Sequence, residues 1–142
     1  VKDGNVTLKK DRDYTVSYSA NKGIGTAKVT VTGKGSYTGK ITKTFKINPQ
    51  GQSISAKGDK SGKKIAVTLA KHSSNSGYQV SYADNSGFKN SKSLWLSGNS
   101  KNKGTIKGLK SKKTYYVKAR DYKTIGKTKV YGKWSVVKKV SI

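Results

Sequence analysis

Apolar and aromatic residues recur at every second position in short runs along the whole chain, with Thr, Ser and Lys between them and Gly, Asn and Ser at the breaks. A period of two places alternate side chains on one face of an extended strand, so the pattern predicts β-strands throughout. Tyr14, Val16 and Tyr18 line one face of a first run, Ala27, Val29 and Val31 that of a second, and Ile41, Phe45 and Ile47 that of a third. The stretches 21–25 and 33–39 supply residues suited to tight turns, which makes these runs an antiparallel meander. Pro49, the one proline, cannot donate to a sheet and stands close to Gly51, so a domain boundary is expected there. The division is a first domain over 1–48, a linker over 49–54 and a second domain over 55–142.

Beyond the linker the alternation resumes at Ile65, Val67 and Leu69, then Tyr78, Val80 and Tyr82, then Leu94 and Leu96 around Trp95. Ile106, then Tyr115, Val117 and Ala119, and a last run over 130–140 complete the series. Six or seven strands in about 90 residues is the density of a two-sheet sandwich. No segment holds apolar three-and-four spacing over three turns, so helix is expected to be nearly absent. The first domain is too short to bury a comfortable core by itself. It is expected to lack strands that precede Val1, or to borrow surface from its neighbour.

Charge alters this picture. The chain has 142 residues with 31 Lys and Arg against 6 acidic residues, a formal +25, and all but Arg12 and Arg120 of the bases are Lys. Such a charge attracts anionic polymers and is screened by salt. There is no Cys, no Glu and one histidine, His72. Disulfides, thiolate metal sites and carboxylate-rich metal centres are therefore excluded, and general acid–base catalysis has little to work with. No metal or cofactor is implied, and an enzyme is not expected. No apolar run approaches the roughly 20 residues of a membrane-spanning helix.

Residues 108–120, GLKSKKTYYVKAR, place Leu109 six positions before Tyr115 at the start of an alternating strand. This is similar to the E–F corner of fibronectin type III domains. The resemblance implies that Leu109 packs under the corner and that the Tyr115 hydroxyl ties back to nearby backbone. Tyr78–Tyr82 resembles the third strand of that family, and Tyr131-Gly132-Lys133-Trp134-Ser135 its last. The likeness covers about residues 55–142; it departs where Val67 or Leu69 stands in place of a core Trp, and in its scarcity of proline. There is no Arg-Gly-Asp, so integrin binding is not implied.

The stretch DYTVSYSANKGIGTAKVTVTGKGSYTGKITKTFKI resembles the bacterial immunoglobulin-like repeats of Gram-positive surface and secreted proteins. It keeps Asp13, Tyr14, Gly25, Thr26, Ala27, Gly33, Gly35, Tyr37, Gly39 and Phe45 in their spacing. Together the two resemblances imply an all-β chain of two tandem β-sandwich-type domains. The first is immunoglobulin-like and truncated at its N-terminus, and the second is fibronectin type III-like. The bacterial group acts as spacers and adhesive surfaces, outside the cell or on its surface. Some Gram-positive domains carry intramolecular Lys-to-Asn bonds, which require a buried acidic residue. None is expected here, because all six Asp are read as lying beside turns or strand ends.

Chemical candidates are few. Gly126-Lys127-Thr128 ends like a phosphate-binding loop, but Asp121 stands where that loop needs a Gly. Gly23-Ile24-Gly25 and Gly33-Lys34-Gly35 read as hairpin turns, since no helix follows to face a phosphate. His72 falls in a polar loop and reads as solvated. Trp95 and Tyr116 have opposite parity to their apolar neighbours, so each faces away from them. With Trp134 they form a candidate surface for sugars or a partner protein, joined by Lys71, Lys89 and Lys92 as candidate charge contacts. A packing role for these aromatics, under Lys stems or at the sandwich edge, is the stronger alternative.

The expected function is a non-catalytic spacer and adhesion module that binds anionic cell-wall polymers such as teichoic acids, or acidic host glycans, by number of charges. The alternative is a carbohydrate-binding module of a secreted glycan-degrading enzyme; a host surface protein is a further possible partner. Sequence-specific nucleic-acid recognition is disfavoured, because it relies on Arg for bidentate contact with guanine. No membrane insertion is expected.

Overall fold

The alternating runs form thirteen β-strands and no helix, as described over residues 1–142 by a computed structural model. The expected all-β class holds. The chain divides into two compact units, Val1–Ile47 and Asn48–Ile142.

In the first unit, β3 (Tyr14–Ser19), β4 (Gly25–Gly33) and β5 (Lys40–Ile47) make a three-stranded antiparallel sheet with β4 in the middle. A short hairpin of β1 (Lys2–Asp3) and β2 (Val6–Thr7) precedes it. The register aligns Val16 with Val31 and Val31 with Ile41, so the three apolar runs share one face as the alternation requires. That face has almost no depth. Ala27 is the one buried apolar side chain of this unit, while Tyr18 and Ile41 are 59% and 61% exposed. Asp13 is also buried, bound by Arg12 Nε at 2.7 Å and the Lys9 N–H at 2.8 Å.

The second unit is a sandwich of two sheets. One orders β10 (Lys103–Ile106), β7 (Lys64–Leu69) and β6 (Ile54–Asp59); the other orders β12 (Thr128–Tyr131), β11 (Thr114–Ile125), β8 (Gly77–Ala83) and β9 (Lys92–Ser97), with β13 (Lys138–Ser141) also pairing β11. Ile65, Val67 and Leu69 of β7 face Tyr78 and Val80 of β8 and Val117 and Ala119 of β11 in one core. Burying these side chains supplies the drive for folding, at roughly 1.5–3 kcal/mol for each large one.

Two features depart from the sequence pattern. Strand β6 was not expected, because Ile54 and Ala56 are its only apolar residues. It is specified by its pairing to β7 and by Gly58, where a Cβ would stand 2.9 Å from the Ser141 carbonyl oxygen. The run 130–140, expected as one strand, is two. β12 pairs the end of β11 and β13 its beginning, and between them Ser135 Oγ accepts the Ala119 N–H at 2.9 Å and donates to the Val136 carbonyl. The Ser135 N–H still donates to the Ala119 carbonyl at 2.7 Å, so the side chain takes the place of one ladder bond where the strand leaves the sheet.

The stretch expected as a linker is ordered against the second unit. Pro49 and Gln52 are buried. A Cβ at Gly132 would stand 2.9 Å from the Pro49 carbonyl oxygen, so only glycine allows the chain to pass so closely there.

Candidate functional site

The alternation in β11 sends Tyr115, Val117 and Ala119 into the core and Tyr116, Lys118, Arg120 and Tyr122 to the opposite face of the sheet. Lys129 and Tyr131 of β12 join that outer face, and Trp95 does so from β9, since its neighbours Leu94 and Leu96 pack on the core. The result is an aromatic and cationic surface across β12, β11, β8 and β9.

Much of it is a ladder of stacked cations and rings. Lys118 Nζ lies 3.9 Å from the centre of the Phe88 ring and 4.9 Å from that of Trp134. Arg120 Cζ lies 4.2 Å from Trp134 and 3.7 Å from Tyr131. Each cation serves two rings, and Arg120 Nε also donates to Gln79 Oε1 at 2.9 Å. Burial lowers the Arg120 pKa, opposed by the charge interaction with Tyr131, and the guanidinium remains a cation. Phe88 reaches Lys118 from a turn in which its own φ is +55°, a conformation costly for a bulky side chain. Asn85 holds that turn through its side chain, accepting the Lys89 N–H and donating to the Lys89 carbonyl, both at 2.9 Å.

Trp95 stands apart from the ladder. Its ring meets Tyr122 edge-on, with centroids 5.4 Å apart and planes at 75°. Tyr122 reaches it by crossing over Gly77, where a Cβ would stand 2.8 Å from the Tyr122 hydroxyl. Trp95 remains 43% exposed, with Lys129 Nζ 5.5 Å from its centroid.

The structure therefore separates the residues grouped as a candidate surface. Trp95 is exposed and held, Tyr116 is half-buried on the same outer face, and Trp134 is engaged by Lys118 and Arg120. Lys71, Lys89 and Lys92 are exposed on three different segments. Lys118, Arg120, Lys129 and Tyr131 were missed, although the parity of β11 carried the signal for the first two. At the corner, Leu109 is buried and the Tyr115 hydroxyl accepts the Lys110 N–H at 2.9 Å.

A second polar constellation overturns two expectations. Asp121 is not beside a turn or strand end: it lies inside β11 and is fully buried. His72 is not simply solvated, because its Nδ1 lies 2.7 Å from Asp121 Oδ2 and its side chain is 18% exposed. Asn75 Nδ2 donates to the same oxygen at 2.9 Å, and Gln52 Nε2 to Oδ1 at 2.6 Å. Gln52 also bonds both the N–H and the carbonyl of Ala70. A buried carboxylate with three donors is satisfied, and no lysine is among its partners. The cluster ties the chain entering the second unit to the loop 70–76 and to β11. It brings together no nucleophile, and no group of three metal-ligating side chains exists in the chain.

No family model matches the sequence, and no curated protein matches it. Among solved structures, the FN1–FN3 domains of chicken CNTN1 align with 84% of this chain at a TM-score of 0.56 and 18% sequence identity. The chain spans 43% of the length of that structure. At that identity the likeness concerns the fold alone: this protein has an all-β architecture of the fibronectin type III and immunoglobulin-like kind.

Proposed function

We propose that this chain is a non-catalytic spacer and adhesion module of a bacterial surface or secreted protein, and that its lysines bind anionic polymers such as teichoic acids or acidic glycans. A fibronectin type III-like fold suits a module for adhesion or spacing. The observation that carries the polyanion reading is the state of the charges. Asp11, Asp13, Asp59 and Asp121 are paired within the chain, and only Lys10 and Lys64 among the lysines take part in those pairs. Nearly all the ammonium groups are left for an external counter-charge. Exposed contacts are individually weak, so affinity comes from their number and from released counter-ions.

The test is binding to poly(glycerol phosphate) or polyphosphate over a range of salt. Log affinity is expected to fall linearly with log salt. Lys→Gln at 71, 89 or 92 is expected to weaken binding by a modest step, and Trp95→Ala to leave it nearly unchanged. Binding that ignores salt would overturn the reading. The exposure of Trp95 favours a second reading, a carbohydrate-binding accessory module of a secreted glycan-degrading enzyme.

A further inference from the structure

We propose that Trp95, braced by Tyr122 and flanked by Lys129, is a platform for one uronic acid residue within an acidic polysaccharide chain. The proposal deepens the polyanion reading and rests on it for the long-range attraction, but it assigns a defined site where that reading needs none.

Three observations converge. Of the two tryptophans, Trp134 already stacks with Lys118 and Arg120, whereas Trp95 keeps 43% of its surface open. An open indole offers an apolar face to the C–H face of a pyranose. Trp95 is also held in place: Tyr122 meets it edge-on at 5.4 Å and is itself 5% exposed, seated over a glycine that alone leaves room for it. A braced ring loses little freedom on binding. Finally, Lys129 reaches over the ring, with its Nζ 5.5 Å from the centroid and 5.7 Å from that of Tyr122. At that distance the ammonium is within reach of a carboxylate carried by a pyranose that meets the ring.

Polar groups complete the surroundings. Gln79 is the cross-strand neighbour of Trp95. Its Oε1 accepts from Arg120, and its Nε2 donates to Ser93 Oγ at 3.0 Å. One N–H of that amide is left for a sugar hydroxyl. With 43% of the indole exposed, the site suits the interior of a chain rather than a free monosaccharide. Single-stranded nucleic acid is the less suitable occupant. It would want successive rings along a groove, and three further rings of this face, Phe88, Trp134 and Tyr131, are already stacked with cations.

The experiment titrates the whole chain with polygalacturonate, its fully methyl-esterified form, polyphosphate and oligothymidylate at one ionic strength. Trp95→Ala is expected to weaken polygalacturonate binding roughly tenfold, a scale set by the loss of one stacked ring, and Trp95→Phe to weaken it less. Polyphosphate binding should stay within about twofold in both, since its phosphates meet dispersed lysines. Lys129→Gln should weaken binding of the acid form about threefold and leave the ester unaffected, because the ester has no charge to lose.

Equal losses for polygalacturonate and polyphosphate in Trp95→Ala, or no loss for polygalacturonate, would overturn the platform. So would Trp95-dependent binding of oligothymidylate tighter than that of the uronate. Failure of polyphosphate to bind, with Trp95-dependent uronate binding intact, would instead overturn the general polyanion reading and leave the platform standing. Thermal midpoints accompany each variant; if Trp95→Ala does not fold, Trp95→Phe and Lys129→Gln decide the outcome.

Discussion

Strands β5 and β7 are written in the same alternating code and end in opposite environments. In β7, Ile65, Val67 and Leu69 are all buried; in β5, Ile41 and Phe45 stay exposed although they too face one side of their sheet. The difference lies outside the strands. β7 has a second sheet stacked over its apolar face, and the face formed by β3, β4 and β5 is shallow, with Ala27 its one buried apolar residue. Alternation therefore decides which face of a strand is apolar, but a second layer decides whether that face is removed from water. The stability of the chain is accordingly expected to be concentrated in the second unit.

The largest effects should break this contrast directly. Ile65→Ala is expected to cost roughly 2–5 kcal/mol in the unfolding of the second unit, because it opens a cavity in a closed core. Ile41→Ala, a residue 61% exposed, should stay within about 0.5 kcal/mol. Both tryptophans belong to the second unit, so denaturation followed by their fluorescence reads Ile65→Ala, and amide exchange along β4 reads Ile41→Ala. Comparable costs would show that the first unit has a closed core of its own.

Next in size is the buried carboxylate. Asp121→Ala removes the acceptor for Gln52, His72 and Asn75 together, and it should destabilise the second unit by about 3 kcal/mol. Its counterpart in the first unit, Asp13→Ala, leaves the donors Arg12 and the Lys9 N–H near solvent and should cost less. A reversal of that order in chemical denaturation would mean that the Asp121 cluster does not bind the lead-in segment to the sandwich.

The corner is a smaller test. Tyr115→Phe deletes the acceptor of the Lys110 N–H and is expected to cost about 1 kcal/mol. Tyr116→Phe, on the outer face, should change little. Equal effects on the denaturation midpoint would place both tyrosines on the same footing and contradict the burial difference.

Acid supplies the finest comparison, since each unit has one depressed carboxylate. The Arg12 side chain, with the Lys9 N–H, lowers Asp13 to about 2. The Gly62 N–H, then Ser61 and Lys64, lower Asp59 to about 2. A carboxyl held below its ordinary value of 3.8 contributes stability that is present above about pH 4 and is lost as pH falls toward 2. Arg12→Gln should raise the Asp13 midpoint toward its ordinary value in an NMR titration and leave Asp59 where it is. Movement of both would show a general charge effect rather than a local bond.

Much of this protein could be read along the chain because its signals are local. The period of two specifies β3, β4, β5 and β7 to β11, and it puts Trp95 and Tyr116 on the face opposite their apolar neighbours. Lys118 and Arg120 were equally legible by parity, but a cation on the outer face of a strand reads as a solvated side chain when none of the rings it meets is near it in sequence. Those rings come from far along the chain, Phe88 from a turn and Trp134 from the break between β12 and β13, and no local pattern links them.

The amino-acid sequence by itself determined the β class, the faces of the strands, the turns and the large positive charge, since each depends on residue type and on neighbours two or three positions away. Only the tertiary structure decided the fate of the exceptions. Asp121 reads like any other polar residue between Arg120 and Tyr122, yet it is the most enclosed carboxylate in the molecule, made tolerable by donors from Gln52, His72 and Asn75. Trp95 and Trp134 are the same side chain with the same chemistry; one stays 43% exposed with a single lysine at 5.5 Å, and the other lies under two cations at 4.9 and 4.2 Å. Burial, pairing and stacking are properties of what the chain brings together from a distance, and that is information a strand's own residues do not hold.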